Sequence, residues 1–337
     1  MTGVQTCALP IYGRRDNKYK ARIKILVKAI TPAVFAEQVE AEFKHLQNGP
    51  LTVPAAEFER LASFFTAPAY ETLPAVSAEL AAARAGDAVL DNWLHRNVSA
   101  HKVPGYAIVT LSLKQVGIAP GDITAEQMEA VATLADRFSF GELRTTHEQN
   151  IVLADVKQSD LPALHVELKM LGFDTANIGF LTNIICCPGG DYCSLANAKS
   201  IPIAEAIQRR YQDLEEVYDL GPLDLNISGC MNACGHHHVG HIGILGVDKK
   251  GAEFYQVSLG GAQGNDSAIG KIIGPSFSAQ QMPEVVGRVL EVYVRDRIED
   301  ERFIDTVRRL GIAPFKDHVY ATPIKGDQYK SGEDAFA

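Results

Sequence analysis

The stretches Cys187-Pro188-Gly189-Gly190-Asp191-Tyr192-Cys193 and Gly229-Cys230-Met231-Asn232-Ala233-Cys234-Gly235 hold four of the six cysteines in a chain of 337 residues. The first pair is spaced C-x5-C and the second C-x3-C. Cys186 adds a fifth thiol to the same region, while Cys7 stands alone. No secretory signal is evident, and in that setting clustered cysteines read as metal ligands or redox groups before disulfides. Zinc sites favour spacings of about two to four residues. Five intervening residues suit a larger object. A cubane iron–sulfur cluster presents iron corners that each take one thiolate. Gly189 and Gly190, following Pro188, allow the backbone to curl closely around it. Zinc and purely structural thiols are the competing readings, and Cys186 competes with Cys187 as a ligand.

Outward from the cysteines, residues 223–228, 239–247 and 254–259 read as strands, and 194–220 reads as helix interrupted near Pro202. Cys230 follows the first of these strands, so the second cysteine pair is expected in a turn at a strand end. Ser278 to Gln281 opens a long helix through about Glu299, and a last helix ends at Gly311 in the C-cap position. Upstream, 103–175 has β-α-β-α order. A strand over 106–113 is followed by Thr124-Ala125-Glu126-Gln127, which has capping-box form. Met128, Val131, Leu134 and Phe138 line the helix it opens, a strand returns over 143–156, and a second helix covers 161–171. This order predicts an α+β, ferredoxin-like sandwich.

Residues 51–100 are Ala-rich with Pro54, Pro68 and Pro74, and read as short helices and a linker in which Trp93 and His95 pack. A helix is expected from Thr31 as N-cap, with Pro32 in its first turn. Phe35, Val39, Phe43 and Leu46 give it one buried face, and Asn48-Gly49-Pro50 ends it. Arg14, Arg15, Lys18, Lys20, Arg22, Lys24 and Lys28 make residues 12–28 basic. Residues 1–11, MTGVQTCALPI, resemble the translation of a common short-read sequencing adapter, so Cys7 is expected to carry no function.

Composition narrows the classes further. Hydrophobic residues make up 46% and charged residues 22%, ordinary globular usage. The length corresponds to roughly two domains. Lys and Arg number 32 against 41 Asp and Glu, a net charge of −9, which argues against broad nucleic-acid binding. No apolar run approaches the length of a membrane-spanning helix.

The cysteine pattern resembles the C-terminal half of the sirohaem-containing sulfite and nitrite reductases, whose cluster signature is C-x5-C followed some forty residues later by G-C-x-N-x-C-G. Gly141, Arg144, Thr146, Gln149 and Asn150 match that family's G-x-x-R-x-T-x-x-Q-N repeat, and Tyr255 to Gly261 resembles its late strand with a diglycine. The resemblance covers about residues 12–325 and is greatest to the bacterial haemoprotein (beta) subunit of assimilatory sulfite reductases. It favours Cys187 over Cys186. It implies that Cys187, Cys193, Cys230 and Cys234 hold a 4Fe-4S cluster, with Cys234 also bridging to the sirohaem iron as axial thiolate. It places Asn232, Arg144 and Gln149 near the cofactor.

The implied layout is an artefact over 1–11, the end of a truncated sirohaem-binding domain over 12–50, a helical linker over 51–100, the ferredoxin-like sulfite/nitrite reductase repeat over 101–175, and an α/β sirohaem and 4Fe-4S domain over 176–330. The implied reaction is six-electron reduction of sulfite to sulfide. Nitrite reduction to ammonia is the alternative, and a haem-free iron–sulfur electron-transfer module is the rival from another class. The distal Arg and Lys that bind the oxyanion lie in the family's N-terminal half, so this chain is expected to be inactive alone. No nicotinamide or flavin fingerprint is visible. Electrons are therefore expected from a ferredoxin or a flavoprotein reductase subunit, in the cytoplasm, with no nucleic-acid or membrane partner.

Weaker signals surround these. The basic run over 14–28 reads either as a contact to cofactor carboxylates or as a solvated face. His236, His237, His238 and His241 suggest a metal site, but consecutive residues on a strand point to opposite faces. Packing beside the cluster or proton supply is the expectation for them. Gly260 to Asn265 is glycine-rich without the dinucleotide fingerprint, and reads as a turn near cofactor carboxylates.

Overall fold

The computed structural model describes residues 12–14, 16–17, 21–50, 52–213 and 220–324. Residues 1–11, Arg15, Lys18 and Lys20, on which some of the expectations above fall, lie outside the described residues. The chain divides after Tyr70 into two compact units. Among the described residues no helix is long and apolar enough to cross a membrane.

The first unit is helical: α1 (Ile23–Ile30), α2 (Pro32–Leu46) and α3 (Ala55–Ala62). Thr31 caps α2 as expected, its side chain accepting from Val34 N. The expected buried face is only partly realised. Val39 is buried and Phe35 and Leu46 are half-buried, but Phe43 is exposed. Arg22, Lys24 and Lys28 are exposed, and Arg14 pairs with Asp16.

The second unit begins with α4 (Ala78–Gly86) and α5 (Ala88–Asn97), then β1 (Val98–Ala100), β2 (Tyr106–Leu111), α6 (Ala125–Phe138), β3 (Arg144–Thr145), β4 (Ile151–Lys157) and α7 (Leu161–Leu171). The strands form an antiparallel sheet in the order β1-β2-β4-β3. Its core joins Val109, Leu111, Leu153 and Val156 to Val131 and Leu134 of α6 and to Leu164 and Leu168 of α7. The capping box at Thr124 and Gln127 forms in full. Two expectations need correcting here. The strand expected over 143–156 is a hairpin, because Thr146 N donates to Asn150 O and Gln149 takes a left-handed φ of 60°. Within the stretch read as a linker, Leu90, Trp93 and Leu94 of α5 belong to the sandwich core. Trp93 packs against the His165 ring at 4.8 Å, while His95 is exposed, because a residue two positions along a helix faces away.

The remainder builds a five-stranded sheet from β5 (Ile185–Cys186), β6 (Leu225–Ser228), β7 (Ile242–Lys249), β8 (Ala252–Leu259) and β9 (Lys271–Ile272), in that order. β5, β6 and β7 are mutually parallel, and β8 and β9 are antiparallel. Between β5 and β6 lie a single helical turn, α8 (Gly189–Tyr192), and α9 (Ile201–Tyr211). After β9 come α10 (Met282–Asp296), α11 (Phe303–Leu310) and α12 (Ala313–Tyr320). The apolar faces of α9 and α10 cover Ile227, Ile244 and Val257 of the sheet. The helix expected over 194–220 starts later, since Pro202 sits in the first turn of α9 and starts that helix rather than interrupting it, and residues 214–219 of that stretch lie outside the described residues. α10 stops before Glu299 because Arg297 is extended. Gly311 caps α11, and Pro314 opens α12, which was not anticipated.

Candidate metal centre

Parallel pairing determines where the cysteines go. Cys186 lies opposite Ile227 in the β5–β6 ladder, so the two strands end at one edge of the sheet. Cys187 is the first residue beyond β5, and Cys230 the second beyond β6. In open α/β sheets, ligands bind outside the carboxyl ends of the strands. Side chains alternate along a strand. Cys186 accordingly joins the apolar core, where burial pushes its thiol well above the usual range, and Cys187 turns to the edge. Gly229 N donates to Cys187 Sγ at 3.0 Å, and Ser200 Oγ lies 3.5 Å from the same sulfur. A backbone N–H aimed at a sulfur favours its thiolate form.

Two glycines make this packing possible. A Cβ on Gly229 would lie 2.6 Å from the Ala198 carbonyl oxygen and 2.8 Å from Gly189 Cα. A Cβ on Gly235 would lie 1.9 Å from the Ile227 carbonyl oxygen. The second cysteine turn therefore folds back directly onto β6. Residues 194–200 form a strap between the two turns: Asn197 N and Ala198 N both donate to Gly229 O, at 2.8 and 3.1 Å, and Gly190 N donates to Ala198 O at 2.9 Å.

Cys187 and Cys230 are buried, Cys193 is half-buried and Cys234 is exposed; none of the four is in a disulfide. Tyr192, Leu195 and Met231 leave an apolar, exposed rim on the two turns. Among the described residues no three His, Cys, Asp or Glu side chains converge to hold a single metal ion. Four unbridged thiols at one edge, with an amide already donating to one of them and glycines keeping the backbones close, fit a multi-iron cluster.

The other expected site residues fall in different places. Asn232 is exposed on the Cys230 turn. Arg144 is exposed and paired with Glu142. Gln149 is engaged elsewhere: its Nε2 donates to Cys186 O at 2.8 Å, and its Oε1 accepts from Cys186 N at 2.9 Å. Its amide thus grips the backbone beside a thiol. The histidines run away from the cysteine edge as the chain returns along β6. His236 O accepts from Asn226 Nδ2, and at the opposite edge His241 Nδ1 accepts from Asp224 N. Burial, with His238 adjacent, lowers His237 to about 4, leaving it neutral near pH 7. Gly260 N donates to His241 O, so the glycine-rich turn also lies at the edge opposite the thiols.

Sequence reasoning missed Lys114, Ser200 and Asn183. Lys114 is fully buried, and its Nζ donates to Gln149 Oε1 at 3.2 Å. Burial pulls its pKa from the usual 10.5 to about 8. The available signal was a lysine three residues beyond β2, following Ser112 and Leu113.

Comparison with known proteins agrees with this geometry. The family described as "Nitrite and sulphite reductase 4Fe-4S domain" matches residues 179–325, and "Nitrite/Sulfite reductase ferredoxin-like half domain" matches 105–171. Sulfite reductase (ferredoxin) 2 of Mycolicibacterium paratuberculosis is 27% identical, over 88% of this chain and 48% of its own length. Ferredoxin–nitrite reductase of Synechococcus elongatus is 31% identical, over 50% of this chain and 34% of its own length. The structure of Mycobacterium tuberculosis NirA protein superposes with a TM-score of 0.61 at 26% identity, covering 91% of this chain and 50% of that one. The chain spans about half the length of the sulfite reductases it matches. By its two successive domains, the ferredoxin-like half domain and the 4Fe-4S domain, the chain belongs to the nitrite and sulfite reductase family.

Proposed function

We propose that this chain is the cluster-bearing part of a sulfite reductase, an oxidoreductase that takes sulfite to sulfide with six electrons. Cys187, Cys193, Cys230 and Cys234 would hold the 4Fe-4S cluster, and Cys234, the exposed member of the set, would also hold the sirohaem iron. The observation that carries this reading is the meeting of two cysteine turns, 42 residues apart in sequence, at the ends of the parallel neighbours β5 and β6. When bound, the cluster and haem supply one-electron storage beside a substrate-binding iron.

The chain's own residues prepare that site. Gly229 N–H stabilises negative charge on Cys187. Burial of Cys187 and Cys230 excludes water from one side. Tyr192, Leu195 and Met231 offer apolar surface to a macrocycle. Asn232 and Arg144 are exposed and able to meet cofactor or substrate oxygens, whereas Gln149 acts on the backbone of Cys186. Residues 12–50 close a sirohaem-binding domain whose larger part, with the distal cations, belongs to the rest of the enzyme. The chain alone is inactive. The names of the relatives support a ferredoxin as electron donor, and we place the reaction in the cytoplasm as part of this proposal. Nitrite reduction to ammonia uses the same ligands, and the Synechococcus relative supports it as the second reading.

The test is iron, zinc and acid-labile sulfide per chain after anaerobic purification with sirohaem supplied. About four irons with matching sulfide are expected. An additional iron with a sirohaem absorbance band would show that this part alone seats the haem. Four irons without haem would mean that the rest of the enzyme is needed, or that the chain is an electron-transfer module. Zinc without sulfide would overturn the reductase reading.

A further inference from the structure

A buried polar junction joins the antiparallel sheet to the cysteine-bearing sheet. Asn150 Oδ1 accepts from Leu113 N, and Asn150 Nδ2 donates to Asn183 Oδ1, both at 3.1 Å. Ser112 Oγ donates to Asn177 Oδ1 at 2.6 Å. Gln208 Nε2 donates to Thr182 O at 3.1 Å. These side chains are neutral and largely satisfied, Gln208 Oε1 being the orphan among them. Lys114 is different. It has no solvent exposure, and among the described residues no carboxylate lies within ion-pair distance of it. An ammonium has three donors, and Gln149 Oε1 accepts one of them. An isolated buried charge costs several kcal/mol unless compensated. The carboxylates that act on it are Glu148 and Asp122, at longer range.

The acceptor of Lys114 is the oxygen that also accepts from Cys186 N. The ammonium is thus two hydrogen bonds from the backbone that carries Cys187 into the site. A cluster held by four thiolates is anionic and becomes more so on reduction. Net charge and hydrogen bonding near a cluster are main determinants of its potential.

We propose that Lys114 is a positioning residue for the cluster site: a buried cation, held through Gln149 against the Cys186 backbone, that favours the reduced state of the cluster at Cys187. The proposal rests on the cluster reading above. It accounts for a buried charge without a close counter-ion, because the cluster itself provides the compensating charge.

The test uses the full chain, reconstituted anaerobically, with iron and sulfide assayed before the cluster potential is titrated by electron paramagnetic resonance. Lys114→Met removes charge and hydrogen bond, Lys114→Gln removes charge alone, and Lys114→Arg keeps the charge. The Met and Gln variants are expected to hold wild-type iron and to make reduction about tenfold less favourable, a shift of 59 mV to more negative potential for one electron. The Arg variant is expected to restore most of the potential. Unchanged potentials in the Met and Gln variants would overturn the proposal. So would a shift in Lys114→Met that Lys114→Gln does not share, since the charge would then not be the cause. If Lys114→Met fails to fold, the Gln and Arg pair decides alone. A wild-type chain that takes up no iron and sulfide would overturn the cluster reading itself, and this proposal with it.

Discussion

The two sheets treat the ends of their strands differently. In the antiparallel sheet, β2 and β4 are neighbours, and the loops at their shared edge are tied by carboxamides such as Gln149 and Asn150. In the mixed sheet, β5 and β6 run parallel, and their shared edge is built from glycine, thiol and backbone. The side-chain amides of the first edge can shift by rotating about single bonds. The second edge depends on carbonyls packed against α-carbons, where nothing can rotate away. The lesson is that the cysteine edge is rigid because of what its residues lack, whereas the carboxamide edge is held by what its residues carry.

The sharpest way to break this contrast is Gly235→Ala. Its new methyl would sit against the Ile227 carbonyl, so the Cys230 turn must move. Destabilisation of about 3 kcal/mol is expected from overpacking of this kind. Chemical denaturation measures it, and loss of iron binding accompanies it.

Nearly as large, and opposite in sign, is the effect of Lys114→Met on the chain without cofactor. Burial lowers the folded-state pKa of Lys114 from 10.5 to about 8, so between those values the unfolded chain binds more protons. Stability of the wild type therefore rises with pH across that window, and the desolvation cost is fully present below it. The Met variant is expected to be more stable at pH 7 by at most about 3 kcal/mol, at roughly 1.4 kcal/mol per pKa unit. That advantage shrinks as pH rises through 8 towards 10.5. Urea melts at neutral and alkaline pH check it, and a constant difference would contradict the burial account.

Gln149→Leu breaks both bonds to Cys186 and leaves the Lys114 ammonium without its acceptor. About 2 kcal/mol of destabilisation is expected from such orphaned groups. Slower iron uptake should accompany it, read by absorbance during reconstitution. Smallest is Thr124→Ala, which removes the capping box of α6. A loss of about 1 kcal/mol is expected. Iron content should not change, because this cap touches neither edge.

What could be read from the residues follows the reach of each interaction. The capping box at Thr124 and the cap at Thr31 are local patterns, and both form as expected; the C-x5-C and C-x3-C spacings are local too, and the turns that carry them lie at the ends of β5 and β6. Relations set by distant chain segments were not legible. The closeness of Gly235 to Ile227 depends on how the crossover returns along β6. The burial of Lys114 depends on residues 177–186 and α9 closing over it. Gln149 was recognised as part of a motif, but its grip on Cys186 is made across 37 residues and no local pattern encodes it. The strand expected over 143–156 failed because the five polar residues Thr146 to Asn150, between two β-rich ends, were read as strand continuation rather than as the turn of a hairpin.

The graded exposure of the thiols has one more consequence. With Cys187 and Cys230 buried, Cys193 half-buried and Cys234 open, the site has a floor and a mouth. If these thiols hold the proposed cluster, traffic through the site would be one-sided: iron and sulfide would arrive by way of Cys234, and dioxygen would attack from the same direction. Whatever surface covers Cys234 would then govern both how the centre is loaded and how long it survives in air.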